Sequence, residues 1–185
     1  AGVKSNDEVI VPSLTFIAPV NAIRYNNANP LFIDSDNYFN IDVLKLVKFL
    51  DKNTFFKKGF CYNKKTKRRI SAIIPVHIWG NGVDIKSLLK ACRKRNIKII
   101  EDASESLGTF YKKNYFNIRK HTGTIGDFGC ISFNGNKIIT SGGGGVIITN
   151  SKKAAKEANY LINQAKDNAF QFIHNEIGYN YKLTN

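Results

Sequence analysis

The chain has 185 residues, 43% hydrophobic and 23% charged, with three cysteines, no methionine and a formal net charge of +14. That length and balance fit one domain with a substantial core and exclude a disordered polypeptide. No apolar run reaches the ~20 residues needed to cross a bilayer, and no signal-peptide pattern opens the sequence, so no membrane association is expected. The missing initiator methionine, with a strand-like segment beginning almost at once, leads us to expect a piece of a longer protein.

The charge raises nucleic-acid binding as a possibility, but its distribution argues against it. Basic residues gather at Lys57-Lys58, Lys64 to Arg69, Arg93-Lys94-Arg95 and Lys112-Lys113. Each cluster falls in a connection or at a helix end, where solvation alone accounts for it, although a basic surface also attracts phosphate-bearing substrates. Cys61, Cys92 and Cys130 are distant and odd in number, as in a reducing cytoplasm. With His77, His121 and His174 they make no metal-ligand spacing, so no metal is expected.

In chain order, short β-rich runs alternate with helical patterns, the signature of an α/β layered fold. Glu8 to Pro12 reads as a strand and Phe16 to Tyr25 as a helix, with Pro19 early enough to be tolerated. Leu31 to Asp34 is a second strand and Ile41 to Leu50 a helix. The polar, basic stretch Asp51 to Arg69 reads as a loop or excursion. Ile70 to His77 is a strand ending in the turn Trp79-Gly80-Asn81-Gly82, and Asp84 to Arg95 is a helix whose charges suit its dipole. Ile97 to Glu101 is a buried strand stopping at Asp102. Phe128 to Phe133 and Gly145 to Thr149 are two more strands, and Ser151 caps a last helix to roughly Ala165.

In such sheets, ligands sit beyond the carboxyl ends of the strands. Three segments place polar residues there: Pro12 to Phe16, Asp102 to Glu105, and Ser132 to Lys137. Lys137 lies in an apolar, glycine-rich stretch, where burial favours the neutral amine that attacks an aldehyde; local composition alone favours a lysine merely bordering a loop. Asp102 ends an apolar strand and needs a partner, either a pyridinium nitrogen or the N-terminus of a helix from Ala103 to Leu107. Neither a GxGxxG turn nor a P-loop is present, since Gly123, Gly126 and Gly129 are wrongly spaced and no Lys-Ser/Thr follows Gly142 to Gly145.

Together, Val11-Pro12-Ser13-Leu14-Thr15-Phe16, Glu101 to Gly108 and Ser132 to Gly145 resemble, in order, the DegT/DnrJ/EryC1/StrS sugar aminotransferases. Pro75 to Asn81 and Gly178 to Asn185 are similar to the same family. The resemblance implies the large domain of the aspartate-aminotransferase fold (PLP-transferase fold type I), with a mostly parallel central sheet flanked by helices. Residues 1–185 would be part of that pyridoxal-phosphate (PLP) domain, lacking its N-terminal segment and the C-terminal small domain. It further implies that Lys137 forms the Schiff base with PLP and shuttles the proton, while Asp102 pairs with the pyridine nitrogen. Ser132 would bind the cofactor phosphate and Phe16 stack on the ring. Glu105 would lie near the 3′-oxygen, at a position often held by histidine or glutamine. Asn180 would reach the neighbouring subunit's cofactor phosphate, implying a homodimer with shared active sites.

Where the family usually has GEGG after the lysine, this chain has Gly142 to Gly145. The activity implied is transfer of an amino group from glutamate to a nucleotide-linked keto sugar, such as a 4-keto-6-deoxy sugar, for cell-surface or secondary glycan biosynthesis in the cytoplasm. A sugar dehydratase of the same family is the alternative, but those carry histidine in place of the lysine. A non-catalytic regulator or scaffold keeping the fold is another.

Overall fold

A computed structural model describes residues 1–168 and 170–182. It contains ten strands and five α-helices among the described residues: β1 (Glu8–Pro12), α1 (Ile17–Tyr25), β2 (Asn29–Ile33), α2 (Val43–Asn53), β3 (Thr54–Lys57), β4 (Phe60–Asn63), β5 (Arg69–Ile73), α3 (Ile85–Arg93), β6 (Lys98–Asp102), β7 (Phe110–Tyr111), α4 (Lys113–Phe116), β8 (Lys120–His121), β9 (Phe128–Ser132), β10 (Gly145–Ile148) and α5 (Lys152–Ile162). The central sheet runs β10-β9-β6-β5-β1-β2. Every pairing from β9 to β2 is parallel, and β10 alone on this path is antiparallel, along β9.

Strand alternation divides the core between the two faces. Ile10, Ile73 and Ile99 pack with Leu46 and Leu50 of α2 and with Ile85, Leu88 and Cys92 of α3. Val9, Val11, Ala72 and Ile74 pack with Ile23 of α1 on the other side. Leu46 and Leu88 are fully buried, each contributing about 1.5–3 kcal/mol of apolar transfer free energy. Asp42, Asp84 and Ser151 cap α2, α3 and α5 by accepting from the backbone N–H groups of Lys45, Ser87 and Ala154. No helix is long and apolar enough to cross a membrane.

Four expectations need correction. Asp51 to Arg69 is not a loop: it holds the end of α2 and the β3–β4 hairpin, whose second strand pairs antiparallel with the start of β5. The aromatic residues Phe55 and Tyr62 stack across that hairpin, 5.5 Å between ring centroids, and outweigh the lysines around it. The strand expected to run to His77 stops at Ile73, because Pro75 and the turn beyond it redirect the chain. Ala103 to Leu107 is a series of turns and not a helix. The last helix ends at Ile162, three residues short of Ala165.

Candidate active site

The carboxyl ends of β6 and β9 carry most of the expected residues, and the register explains why. Asp102 lies beside Cys130 on the adjacent parallel strand, so their side chains share a face, and Ser132, two residues on, shares it too. Asp102 Oδ1 accepts from the backbone N–H of Ser104 at 3.0 Å, closing a tight turn in place of the expected helix cap. Ser132 Oγ accepts from the backbone N–H of Asn134 at 3.3 Å, leaving its own O–H free to donate.

Lys137 follows on a turn in which its backbone N–H meets the Asn134 carbonyl at 3.0 Å. Its side chain is only 17% exposed, and Nζ stands 3.6 Å from Glu105 Oε1. The expectation of a lysine in an apolar setting is therefore modified: a carboxylate accompanies it. Glu105 Oε2 in turn accepts from the backbone N–H of Trp79 at 3.0 Å. Glu105, three residues after Asp102, is thus the bridge between the β5 turn and the lysine.

Phe16 is the N-cap residue of α1 and is 73% exposed, its ring available for stacking. A cavity of about 590 Å³ is lined by Pro19 of that helix together with Asp102, Ser104 and Cys130. Asn180 lies elsewhere: it forms an isolated bridge to Asn163, just past α5, and is exposed. The structure therefore pairs Glu105 with Lys137 and sets Asp102 and Ser132 on one face at the carboxyl ends of adjoining strands, with Phe16 exposed at the start of α1; of these residues, Asp102 borders the cavity. It does not bring Asn180 into that group. The motif segment Leu183-Thr184-Asn185 lies outside the described residues.

Two residues close to this site were missed. Glu101 and His77 are both fully buried, with His77 Nε2 3.0 Å from Glu101 Oε2. Burial acts to raise the Glu101 carboxyl, but the hydrogen bonds from His77 and from the Gly126 and Gly123 backbone more than offset it, and the carboxyl is held below its ordinary range. A glutamate ending an otherwise apolar strand was the available signal. No cluster of metal-ligating side chains occurs among the described residues.

Comparison with known proteins assigns the frame. The whole chain, residues 1–185, matches the DegT/DnrJ/EryC1/StrS aminotransferase family. The chain belongs to that family. It is 38% identical to the putative pyridoxal phosphate-dependent aminotransferase EpsN of Bacillus subtilis (strain 168), covering 99% of this chain and 43% of the relative. It is 37% identical to GDP-perosamine synthase of Escherichia coli O157:H7, covering 100% of this chain and 45% of that one. A crystal structure of a family aminotransferase from Brucella abortus superposes with a TM-score of 0.82 at 26% identity, over 98% of this chain and 45% of that one. The chain thus spans less than half the length of these relatives, and its fold is that of the family's PLP-dependent aminotransferases.

The residues present fit that cofactor. Lys137 supplies a primary amine at the strand edge. Asp102 supplies a carboxylate facing a cavity. The buried Thr15 Oγ1, next to Phe16, has no hydrogen-bond partner among the described residues, and an orphaned buried hydroxyl ordinarily calls for a ligand or water.

Proposed function

We propose that the whole protein is a PLP-dependent aminotransferase that takes the amino group of glutamate and delivers it to a nucleotide-linked keto sugar, such as a 4-keto-6-deoxy sugar, in glycan biosynthesis. The observation that carries this reading is the placement of Lys137, shielded and paired with Glu105, at the same sheet edge as Asp102 and Ser132. The kinship with GDP-perosamine synthase supports a nucleotide-linked sugar as acceptor.

PLP, when bound, supplies an electron sink that stabilises negative charge at the substrate carbon. The chain's own residues would do the rest. The Lys137 amine would hold the cofactor through its aldehyde group and, when free, would move a proton at Nζ. The Asp102 carboxylate keeps the ring nitrogen protonated. The Ser132 O–H would donate to the phosphate, and the Phe16 ring would stack on the cofactor and help to exclude water. Glu105 orients the 3′-oxygen side and holds Lys137.

Residues 1–185 would form part of the large domain, completed by an N-terminal segment and a C-terminal small domain. Asn180, exposed and bridged to Asn163, suits a role in a partner's site within a homodimer. Three unpaired cysteines suit a reducing cytoplasm.

The test uses the full-length protein with PLP. A Schiff-base absorbance band should appear, borohydride should fix the cofactor onto Lys137, and Lys137→Ala should abolish both. A folded protein without the band would overturn the proposal.

A further inference from the structure

The sequence Glu101-Asp102 places two carboxylates on opposite faces of β6. Asp102 faces the candidate cavity, whereas Glu101 points into the core and is fully buried. A core position filled only for stability would be served as well by an apolar residue, because desolvating a carboxylate costs several kcal/mol. Here the carboxylate is saturated. It accepts from His77 Nε2 at 3.0 Å and from the backbone N–H groups of Gly123 (2.9 Å), Ile125 (2.7 Å) and Gly126 (2.6 Å). One charge therefore ties β6 to the segment leading into β9, which carries Ser132, and to the turn after β5.

That turn begins at His77, whose ring is gripped on both nitrogens. Nδ1 accepts from the Val83 backbone N–H at 3.2 Å, which leaves Nε2 to donate to Glu101. The His77 backbone N–H also donates to the Asp102 carbonyl at 3.0 Å. Two residues on, Trp79 sits in the left-handed region at φ 50°, ψ 30°. A bulky side chain there costs of order 1–3 kcal/mol and persists only when its surroundings hold it. The holders are identifiable. Asn40 accepts from the Ile78 N–H and donates to the Asn81 carbonyl, both at 3.2 Å, and the Thr109 hydroxyl donates to the Gly80 carbonyl at 2.9 Å. What the strained backbone achieves is to aim the Trp79 N–H at Glu105 Oε2, whose other oxygen faces Lys137.

We propose that Glu101 and His77 are positioning residues that act through the strained Trp79 turn to hold Glu105 against Lys137. Both are fully buried and neither lines the cavity that Asp102 borders. Their effect on the reaction rests on the aminotransferase reading above, but their effect on the turn does not.

The experiment uses the full-length protein, and two readouts separate those cases. Trp79 is the one tryptophan of the 185 residues; subtracting the emission of Trp79→Phe isolates its signal in the longer chain. In cofactor-free protein, His77→Phe should lower the Trp79 fluorescence anisotropy as the turn loosens. His77→Gln, which retains a donor for Glu101, should restore most of it.

With PLP-loaded protein and L-glutamate alone, His77→Phe should slow the half-reaction at saturation about tenfold, with the half-saturating glutamate concentration changing less than about twofold. The double variant His77→Phe, Glu105→Ala should be no slower than Glu105→Ala, because both act on one link. Unchanged Trp79 anisotropy, or multiplicative rate losses in a folded double variant, would overturn the proposal. If His77→Phe does not fold, His77→Gln decides: a smaller anisotropy loss supports the proposal and none overturns it. A wild-type protein inert toward glutamate would count against the aminotransferase reading alone, since the anisotropy comparison stands without it.

Discussion

Glu105 joins Lys137 to the backbone of the turn after β5. Its Oε1 lies 3.6 Å from Lys137 Nζ, while Oε2 takes the Trp79 N–H at 3.0 Å. The two oxygens have separable duties, and two substitutions tell them apart. Glu105→Ala removes both contacts and should slow the glutamate half-reaction by about 10–100-fold, the equivalent of a lost hydrogen bond to a charged group. Glu105→Gln keeps an acceptor for the Trp79 N–H but loses the charge, and should lose several-fold less. Stopped-flow absorbance with saturating glutamate measures both; equal losses would mean that the Trp79 contact contributes nothing.

Acid should unfold this domain through identifiable carboxylates. Burial acts to raise the carboxyls of Glu101, Asp7 and Asp84, and hydrogen bonds outweigh it in each, from His77, Arg69 and Ser87 foremost. All three are therefore depressed below their ordinary values of 4.5 and 3.8. A depressed carboxyl adds stability above its unfolded value, and that stability is lost as pH falls through the folded one. The urea midpoint should hold steady near neutrality and decline below about pH 4.5. Glu101→Gln should start lower, by about 3–5 kcal/mol, because three backbone donors and His77 lose their anionic partner. Its decline with acid should also be shallower. A wild-type midpoint flat down to pH 3 would contradict this.

The strands and helices that place the site were legible because their signals are local. Glu8–Pro12 is apolar on both faces, as a central parallel strand must be, and α3 carries its cap and its basic end in the sequence. The β3–β4 hairpin was hidden because its turn, Lys58-Gly59, is flanked by lysines whose charge masks the aromatic pairing across it. Lys137, Asp102, Ser132 and Glu105 were each ambiguous alone, and order along the chain united them. What could not be read was which oxygen faces which donor. Glu101 looked like a strand residue and His77 like an ordinary histidine, since their partners lie 24 residues apart or on the backbone of a loop. Backbone strain at Trp79 leaves no trace in residue type at all.

The cysteines should be inert in the native protein. Burial pushes the Cys92 thiol up to about 12 and the Cys130 thiol up to about 11, the latter helped by Asp102, and raises Cys61 as well. Since the thiolate is the reactive form, very little is present at pH 8. Alkylation with iodoacetamide at that pH, mapped by mass spectrometry, should leave all three unmodified until denaturant is added. Rapid labelling of Cys130 would mean that the cavity beside Asp102 opens widely in solution.

Asn180 offers the sharpest test of the shared-site reading, because within this chain it is exposed and bridges to Asn163 beside α5. If each site takes Lys137 from one subunit and Asn180 from the other, the defects can be sorted by mixing. Lys137→Ala and Asn180→Ala should each be nearly inactive as homodimers. In a mixed dimer, one site receives both substitutions and the other receives neither. Random reassembly of equal amounts makes half the dimers mixed, each with one intact site, so about a quarter of wild-type activity should return. If Asn180 served its own subunit's Lys137, every site would keep one defect and mixing would restore nothing. Measuring glutamate-dependent amino transfer after unfolding and refolding the two variants together distinguishes these arrangements.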